Sequence, residues 1–147
     1  MSPSKHVLAS AATSVIFYGL TKSVSGTLTC FLSGIFIDID HVFDFWIAKR
    51  KFLFTYRELY QFFDREKAGK VHLIFHSYEL LLTFWAVLFF CHLGMFWLGI
   101  AVGCTVHMLF DQWLNPLRPR VYFLLYRIKH GFTKESTFTD EEFAKLD

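Results

Sequence analysis

Apolar residues along this chain come in long runs broken by short polar turns. Residues 6–20 form the first run, and the polar turn 21–25, carrying Lys22, closes it. A second run covers 26–39. Residues 71–91 and 95–115 form two more, separated by the tight break His92-Leu93-Gly94. Between Tyr78 and Phe110 the only charged side chain is Glu79, which leaves enough apolar chain for most of two spans of about 20 residues each. The pattern predicts an all-α membrane protein with about four transmembrane helices. The stretch 42–63 differs, because it mixes Phe, Tyr and Trp with Lys49, Arg50, Lys51 and Arg57. That mixture predicts an amphipathic helix lying in the headgroup zone. Residues 64–70 read as a charged turn. Pro116 and Pro119 stop the fourth run, since proline cannot continue a helix. Residues 121–130, with Arg127 and Lys129, predict another interfacial helix. Thr139 to Glu142 resembles a capping box and predicts a short soluble helix near the end. The domain organisation expected is one helical membrane domain over 1–130 and a polar cytoplasmic tail over 131–147.

Composition strengthens the membrane reading. Of 147 residues, 54% are apolar and 20% aromatic, with 19 Phe, which a soluble domain of this size rarely carries. A net charge of +2 gives no bulk attraction to nucleic acid. Placement of the charges is more telling. Four spans put the N-terminus, residues 42–70 and the C-terminus on one side. Of the 15 Lys and Arg, all but Lys22 fall on that side, which the positive-inside rule makes cytoplasmic. Lys5 ahead of the first run faintly resembles a signal peptide, but no cleavage site follows, so the run is read as a retained span. Cys30, Cys91 and Cys104 sit in apolar runs without a CxxC pair and read as small hydrophobes.

Polar groups inside spans are costly and call for a reason. His6 opens the first run. Asp38, Asp40 and His41 close the second. His72 and His76 open the third, with Glu79 one turn on, and His107 and Asp111 lie near the end of the fourth. In the four-span topology all of them face the cytoplasmic side at one depth. Local spacing agrees, because His72/His76 and His107/Asp111 are i,i+4 pairs and Asp38/His41 is i,i+3, so each pair points one way from a helix. Asp40 joins Asp38 only if the helix loosens between them. Imidazole and carboxylate suit Zn²⁺, with Fe²⁺ or Mn²⁺ as alternatives. Eight candidate ligands exceed one tetrahedral ion, which implies more than one metal, or ligands together with their hydrogen-bond partners. The same residues also fit a polar network or structural metal clip that locks helices together. Lys49, Arg50 and Lys51 either anchor the chain to anionic lipid or attract a phosphate-bearing substrate. His92 and His130 fall outside the cluster.

The order His6, Asp38-Ile39-Asp40-His41, His72-x3-His76-Ser77 and Gly103-x3-His107-x3-Asp111 resembles the YdjM-like membrane-bound, predicted metal-dependent hydrolases of bacteria and archaea. The resemblance covers about residues 5–115. Three flanking positions depart from the family pattern: Ile37, Leu73 and Phe75. What the resemblance implies is a multi-pass hydrolase of the bacterial or archaeal inner membrane. Its metal ligands would be His6, Asp38, Asp40, His41, His72, His76, His107 and Asp111. The family is distantly similar to zinc-dependent phospholipases C, which implies a phosphoester, phospholipid-like substrate at the cytoplasmic leaflet. A metal-activated water would be the nucleophile, with Asp40 or Glu79 as general base. A membrane di-iron oxidase shares HxxxH, but the usual density of HxxHH motifs is missing. The rival from another class is a non-enzymatic membrane subunit. Membrane lipid and the substrate are the expected partners.

Overall fold

A computed structural model describes residues 3–55, 57–59, 62, 72–115 and 117–143; the expected charged turn at 64–70 and the stop at Pro116 lie outside them. The longer helices are α1 (Pro3–Thr21), α2 (Val24–Phe36), α3 (Ile39–Lys49), α4 (Tyr78–Phe90) and α5 (Met95–Leu114). A 3-10 turn (Pro119–Tyr122) then leads to three short helices, α6 (Leu124–Lys129), α7 (Lys134–Thr137) and α8 (Asp140–Phe143). Among the described residues there is no strand, only an isolated bridge between Leu117 and Phe138. The all-α expectation holds. The chain packs as two compact units, one of Met1–Ile37 with Tyr78–Asn115, the other of Asp38–Ser77 with Pro116–Asp147.

The first unit is built on rows of small residues spaced four apart. On α1 the buried row is His6, Ser10 and Ser14, followed by Phe17. On α2 it is Gly26, Cys30 and Gly34. On α5 it is Gly99, Gly103, His107 and Asp111. Such residues let α2 and α5 meet backbone to backbone. A Cβ at Gly99 would stand 2.0 Å from the Gly26 carbonyl oxygen, and one at Gly103 would stand 2.3 Å from that of Cys30. The close approach lets Thr29 Oγ1 donate to the Phe96 carbonyl (2.7 Å) and Ser33 Oγ to that of Ile100 (3.2 Å). Large apolar side chains lie outside the contact: Leu8, Val15, Leu28, Leu82 and Phe89 are exposed, Leu20 is 81% exposed and Trp113 86%. Small and polar inside with large and apolar outside reverses a water-soluble core. It suits helices associating in lipid, where packing of small residues replaces the hydrophobic effect.

Helix lengths differ from the expected spans. Among the described residues, α5 is the one helix long and apolar enough to cross a membrane, and α4 is a shorter apolar helix. The 13 residues of α2 and the 13 of α4 each run about 20 Å, short of the ~30 Å hydrocarbon core. The shortening has local causes. α2 stops at Phe36, with Ile37 as its C-cap. The run expected to become helical from residue 71 does so only at Tyr78, because residues 72–77 form a turn.

In the second unit α3 ends at Arg50, whose φ of 51° is left-handed. The flat helix expected over 42–63 therefore stops at Lys49. Some of its aromatic residues bury against one another, while Phe43 and Phe52 stay exposed. Phe45 packs on Phe54 (centroids 5.0 Å) and Phe62 (5.2 Å), with Leu59 and Leu73 completing the cluster. The helix expected over 121–130 divides into the 3-10 turn and α6. Arg118 ties the tail down: its N–H donates to the Thr137 carbonyl (3.0 Å) and its Nε to that of Phe138 (2.7 Å).

Candidate metal centre

The break between α2 and α3 supplies the loosening that Asp38 and Asp40 require. Asp38 sits at the joint as N-cap of α3, with φ −67° and ψ 0°, and Asp40 lies in the first turn beyond it. Both carboxylates reach His76 in the second unit. Asp38 Oδ1 is 3.4 Å from His76 Nε2 and 3.5 Å from His41 Nε2. Asp40 Oδ2 is 3.0 Å from His76 Nδ1 and also accepts the Phe75 N–H at 3.0 Å. Asp40, His41 and His76 each offer a ligand atom, all within 4.8 Å of one another.

The ring of His76 shows why this group suits a cation. A carboxylate oxygen already taking a backbone N–H is an acceptor, so Nδ1 carries the proton it shares with Asp40. In a neutral imidazole Nε2 then holds a lone pair. Nε2 stands beside the Asp38 carboxylate, and with the ring neutral the two together could hold a positive ion. The other oxygen of Asp40, Oδ1, is buried without a hydrogen-bond partner. A carboxylate holding one ring nitrogen while the other turns to a metal is the usual setting of a histidine ligand. The donor set therefore fits a divalent metal.

In the first unit His6, His107 and Asp111 are all buried. Asp111 Oδ1 lies 3.2 Å from His6 Nε2, and its Oδ2 lies 3.3 Å from His107 Nε2. The two imidazoles stack with centroids 4.1 Å apart. His107 Nδ1 stands 2.7 Å from the Gly34 carbonyl oxygen, which can only accept. Nδ1 is thus the donor in that bond, and Nε2 faces the Asp111 carboxylate.

His72 is placed differently. The expectation of two histidines on one helix face is corrected, since 72–77 is a turn with Leu73 at a φ of 40°. Side chains take over the turn's backbone groups in place of a helix. Asp44 accepts the N–H groups of His72 and Leu73, and Asp40 accepts that of Phe75. Arg127, only 1% exposed, serves the carbonyls: Nη1 donates to His72 and Leu73, and Nη2 to His76 at 3.0 Å. Leu73 and Phe75, two of the three departures from the family pattern, contribute backbone N–H groups here, which any side chain leaves intact. His72 itself pairs with Asp44 and stands outside the Asp40, His41 and His76 group. Arg127→Met is expected to leave buried carbonyls unpaired and to lower stability by about 3 kcal/mol, readable as a shift in the denaturation midpoint. Arg127→Lys should recover part of the loss, because an ammonium cannot span three carbonyls.

The remaining candidates lie elsewhere. Glu79, half-buried in the first turn of α4, belongs to the first unit. Lys51 pairs with Glu58 at 2.6 Å, and that hydrogen bond holds the Glu58 carboxyl below its ordinary range. Lys49 lies over the Phe62 ring at 5.8 Å, and Arg50 caps α3. Local roles thus account for part of the basic stretch expected to attract substrate. His92 and His130 are exposed and outside both groups, as expected.

Asp44 and Arg127 are the residues that spacing alone missed. Asp44 had a signal, standing four residues after Asp40 as His76 stands four after His72. Arg127 had none beyond being a charge in a short apolar helix. Compared with known proteins, the chain matches no family model, no protein of curated function and no solved structure.

Proposed function

We propose that this chain is a multi-pass membrane hydrolase that uses a divalent metal, Zn²⁺ first among the candidates, to cleave a phosphoester of phospholipid type. One observation carries the reading. His76 and His107 each commit Nδ1 to an oxygen acceptor and hold Nε2 3.4 and 3.3 Å from a carboxylate. Asp38, Asp40, His41 and His76 would hold metal in the second unit, and His6, His107 and Asp111 are ligands of the same kind in the first. A bound divalent ion supplies the Lewis acid that polarises a phosphoryl oxygen and favours ionisation of water. Asp40 orients His76 through Oδ2, which leaves Oδ1 to face the ion. The resemblance to the YdjM-like hydrolases supports the reaction class.

Placement in the bilayer is part of the proposal. α1, α2, α4 and α5 lie in the membrane, with both termini on the cytoplasmic face of a bacterial or archaeal inner membrane. The outward large apolar side chains, the small-residue contact of α2 with α5, and the one-sided Lys and Arg support it. The test is metal analysis of detergent-purified protein, followed by assay on phosphoesters after reloading. Stoichiometric metal is expected. Its absence, or retention unchanged by His107→Ala with Asp111→Ala, would sink the reading.

One contact favours a non-enzymatic reading of the first unit. The His107 Nδ1–H to Gly34 carbonyl bond joins α5 to α2 without a metal, beside the Thr29 and Ser33 bonds. If chelation melts the protein, and the reloaded protein cleaves no phosphoester, a structural role is the better account.

A further inference from the structure

Asp44 and His72 make a second Asp–His pair that repeats the construction of Asp40 and His76. Asp44 stands one turn after Asp40 on α3, and His72 four residues before His76 in the turn. Each carboxylate takes backbone N–H from the turn and holds a ring nitrogen. Asp44 Oδ2 accepts from the N–H of His72 (2.7 Å) and of Leu73 (3.2 Å), and Oδ1 lies 3.0 Å from His72 Nδ1. The proton between them is again on Nδ1.

The two pairs differ in outlook. The His76 side chain is 3% exposed and its Nε2 meets Asp38. The His72 side chain is 29% exposed, while Asp44 behind it is 3% exposed. Phe132 covers the ring at 4.8 Å, and Arg127 holds the His72 carbonyl. The imidazole is therefore held through Nδ1 and through its backbone carbonyl, with part of the side chain open to solvent.

The geometry points to His72 as the proton-transfer residue of the proposed phosphoester cleavage, donating from Nε2 to the leaving oxygen, with Asp44 as its positioning residue. This rests on the hydrolase reading above. In an in-line displacement the leaving oxygen stands opposite the attacking one and requires its own proton source. A water oxygen bonds to phosphorus and the phosphorus–ester oxygen bond breaks. Its electron pair stays on the departing oxygen, which takes the Nε2 proton of the doubly protonated ring and leaves the neutral ring with its proton on Nδ1, facing Asp44. The attacking water releases a proton to solvent, and solvent reprotonates His72.

Two measurements test this. The first needs no activity: metal-free protein in detergent is treated with diethyl pyrocarbonate, and each histidine is followed by mass spectrometry. His72 is expected to react faster than the buried His6, His76 and His107. In Asp44→Asn it should slow by roughly tenfold. The Asn carbonyl stays on the two N–H groups, its NH2 then faces Nδ1, and the ring proton moves to Nε2. An unchanged rate overturns the pairing.

The second compares zinc-reloaded wild type and His72→Gln on two substrates. Bis(p-nitrophenyl) phosphate has a leaving group that needs no proton, whereas a short-chain phosphatidylcholine leaves as an alkoxide. A loss of about 100-fold on the lipid with little change on the aryl ester, at unaltered zinc content, is expected. Equal losses on both, or lost zinc, make His72 a structural or ligand residue and overturn the role. Unchanged turnover of both by the variant also overturns it, with the hydrolase reading intact. A wild-type chain inactive on both overturns the phosphoester reading and this role with it.

Discussion

Replacing His76 with alanine is expected to weaken metal retention by at least about 100-fold, and replacing Asp40 with asparagine by roughly 10- to 100-fold. The order follows from what each residue does. His76 offers Nε2 directly, beside Asp38 at 3.4 Å. Asp40 fixes the ring through Nδ1 and accepts the Phe75 N–H. An asparagine there keeps its carbonyl on the backbone donor and presents an NH2 to the ring, which moves the ring proton to Nε2 and blocks that ligand. The measurement is competition of reloaded protein against a chromophoric chelator, with helix content followed in parallel. Unchanged retention in His76→Ala would remove His76 from the site. Equal effects of the two variants would mean that Asp40 contributes as much to retention as His76 does, through Oδ1 as well as through the ring it orients.

Gly103→Leu should abolish the packing of α2 on α5, with a loss of more than about 3 kcal/mol, above the usual range for overpacking. A first side-chain carbon at Gly103 already lies 2.3 Å from the Cys30 carbonyl oxygen and 2.2 Å from Ser33 Oγ. The serine can rotate away, but the carbonyl belongs to the α2 backbone and can yield only if the helices part. Parting them would break the Ser33 and Thr29 bonds to α5 and the His107 bond to Gly34. His107 lies four residues beyond Gly103 on the same row, so metal retention in the first unit should fall as well. Gly19→Ala is the control, since nothing lies within 4 Å of a Cβ there, and its stability should stay within about 0.5 kcal/mol of the parent. Thermal or denaturant unfolding in detergent reads both. A Gly103→Leu chain as stable as Gly19→Ala would show that the close approach is not required.

Much of the helical skeleton was legible from apolar runs and turn residues alone. The turn expected at 21–25 forms in shorter form at Lys22–Ser23, with Lys22 at a φ of 56° and Ser23 Oγ accepting the Gly26 N–H, and α8 begins where the capping pattern placed it. Those features depend on near neighbours in sequence, which is why composition and spacing capture them. The i,i+4 relation of His107 to Asp111 survives for the same reason, since both stay on one regular helix.

Segments whose backbone bonds are taken over by distant side chains were not legible. Residues 72–77 read as the start of a helix. The N–H groups of His72, Leu73 and Phe75 instead go to Asp44 and Asp40, and the carbonyls of His72, Leu73 and His76 to Arg127, more than 50 residues away. Phe54 and Phe62, beyond the end of α3, pack back on Phe45.

The candidate ligands of the opening pattern were present in the sequence as a set of His and Asp residues grouped by spacing. Which of them meet was decided by the tertiary structure. A break at Ile37–Asp38 let Asp38 and Asp40 reach the same histidine, and a nonhelical turn separated His72 from His76. One imidazole went to a ligand group and the other to its own carboxylate, because the direction of a side chain depends on where its backbone hydrogen bonds are satisfied, which the order of residues alone does not record.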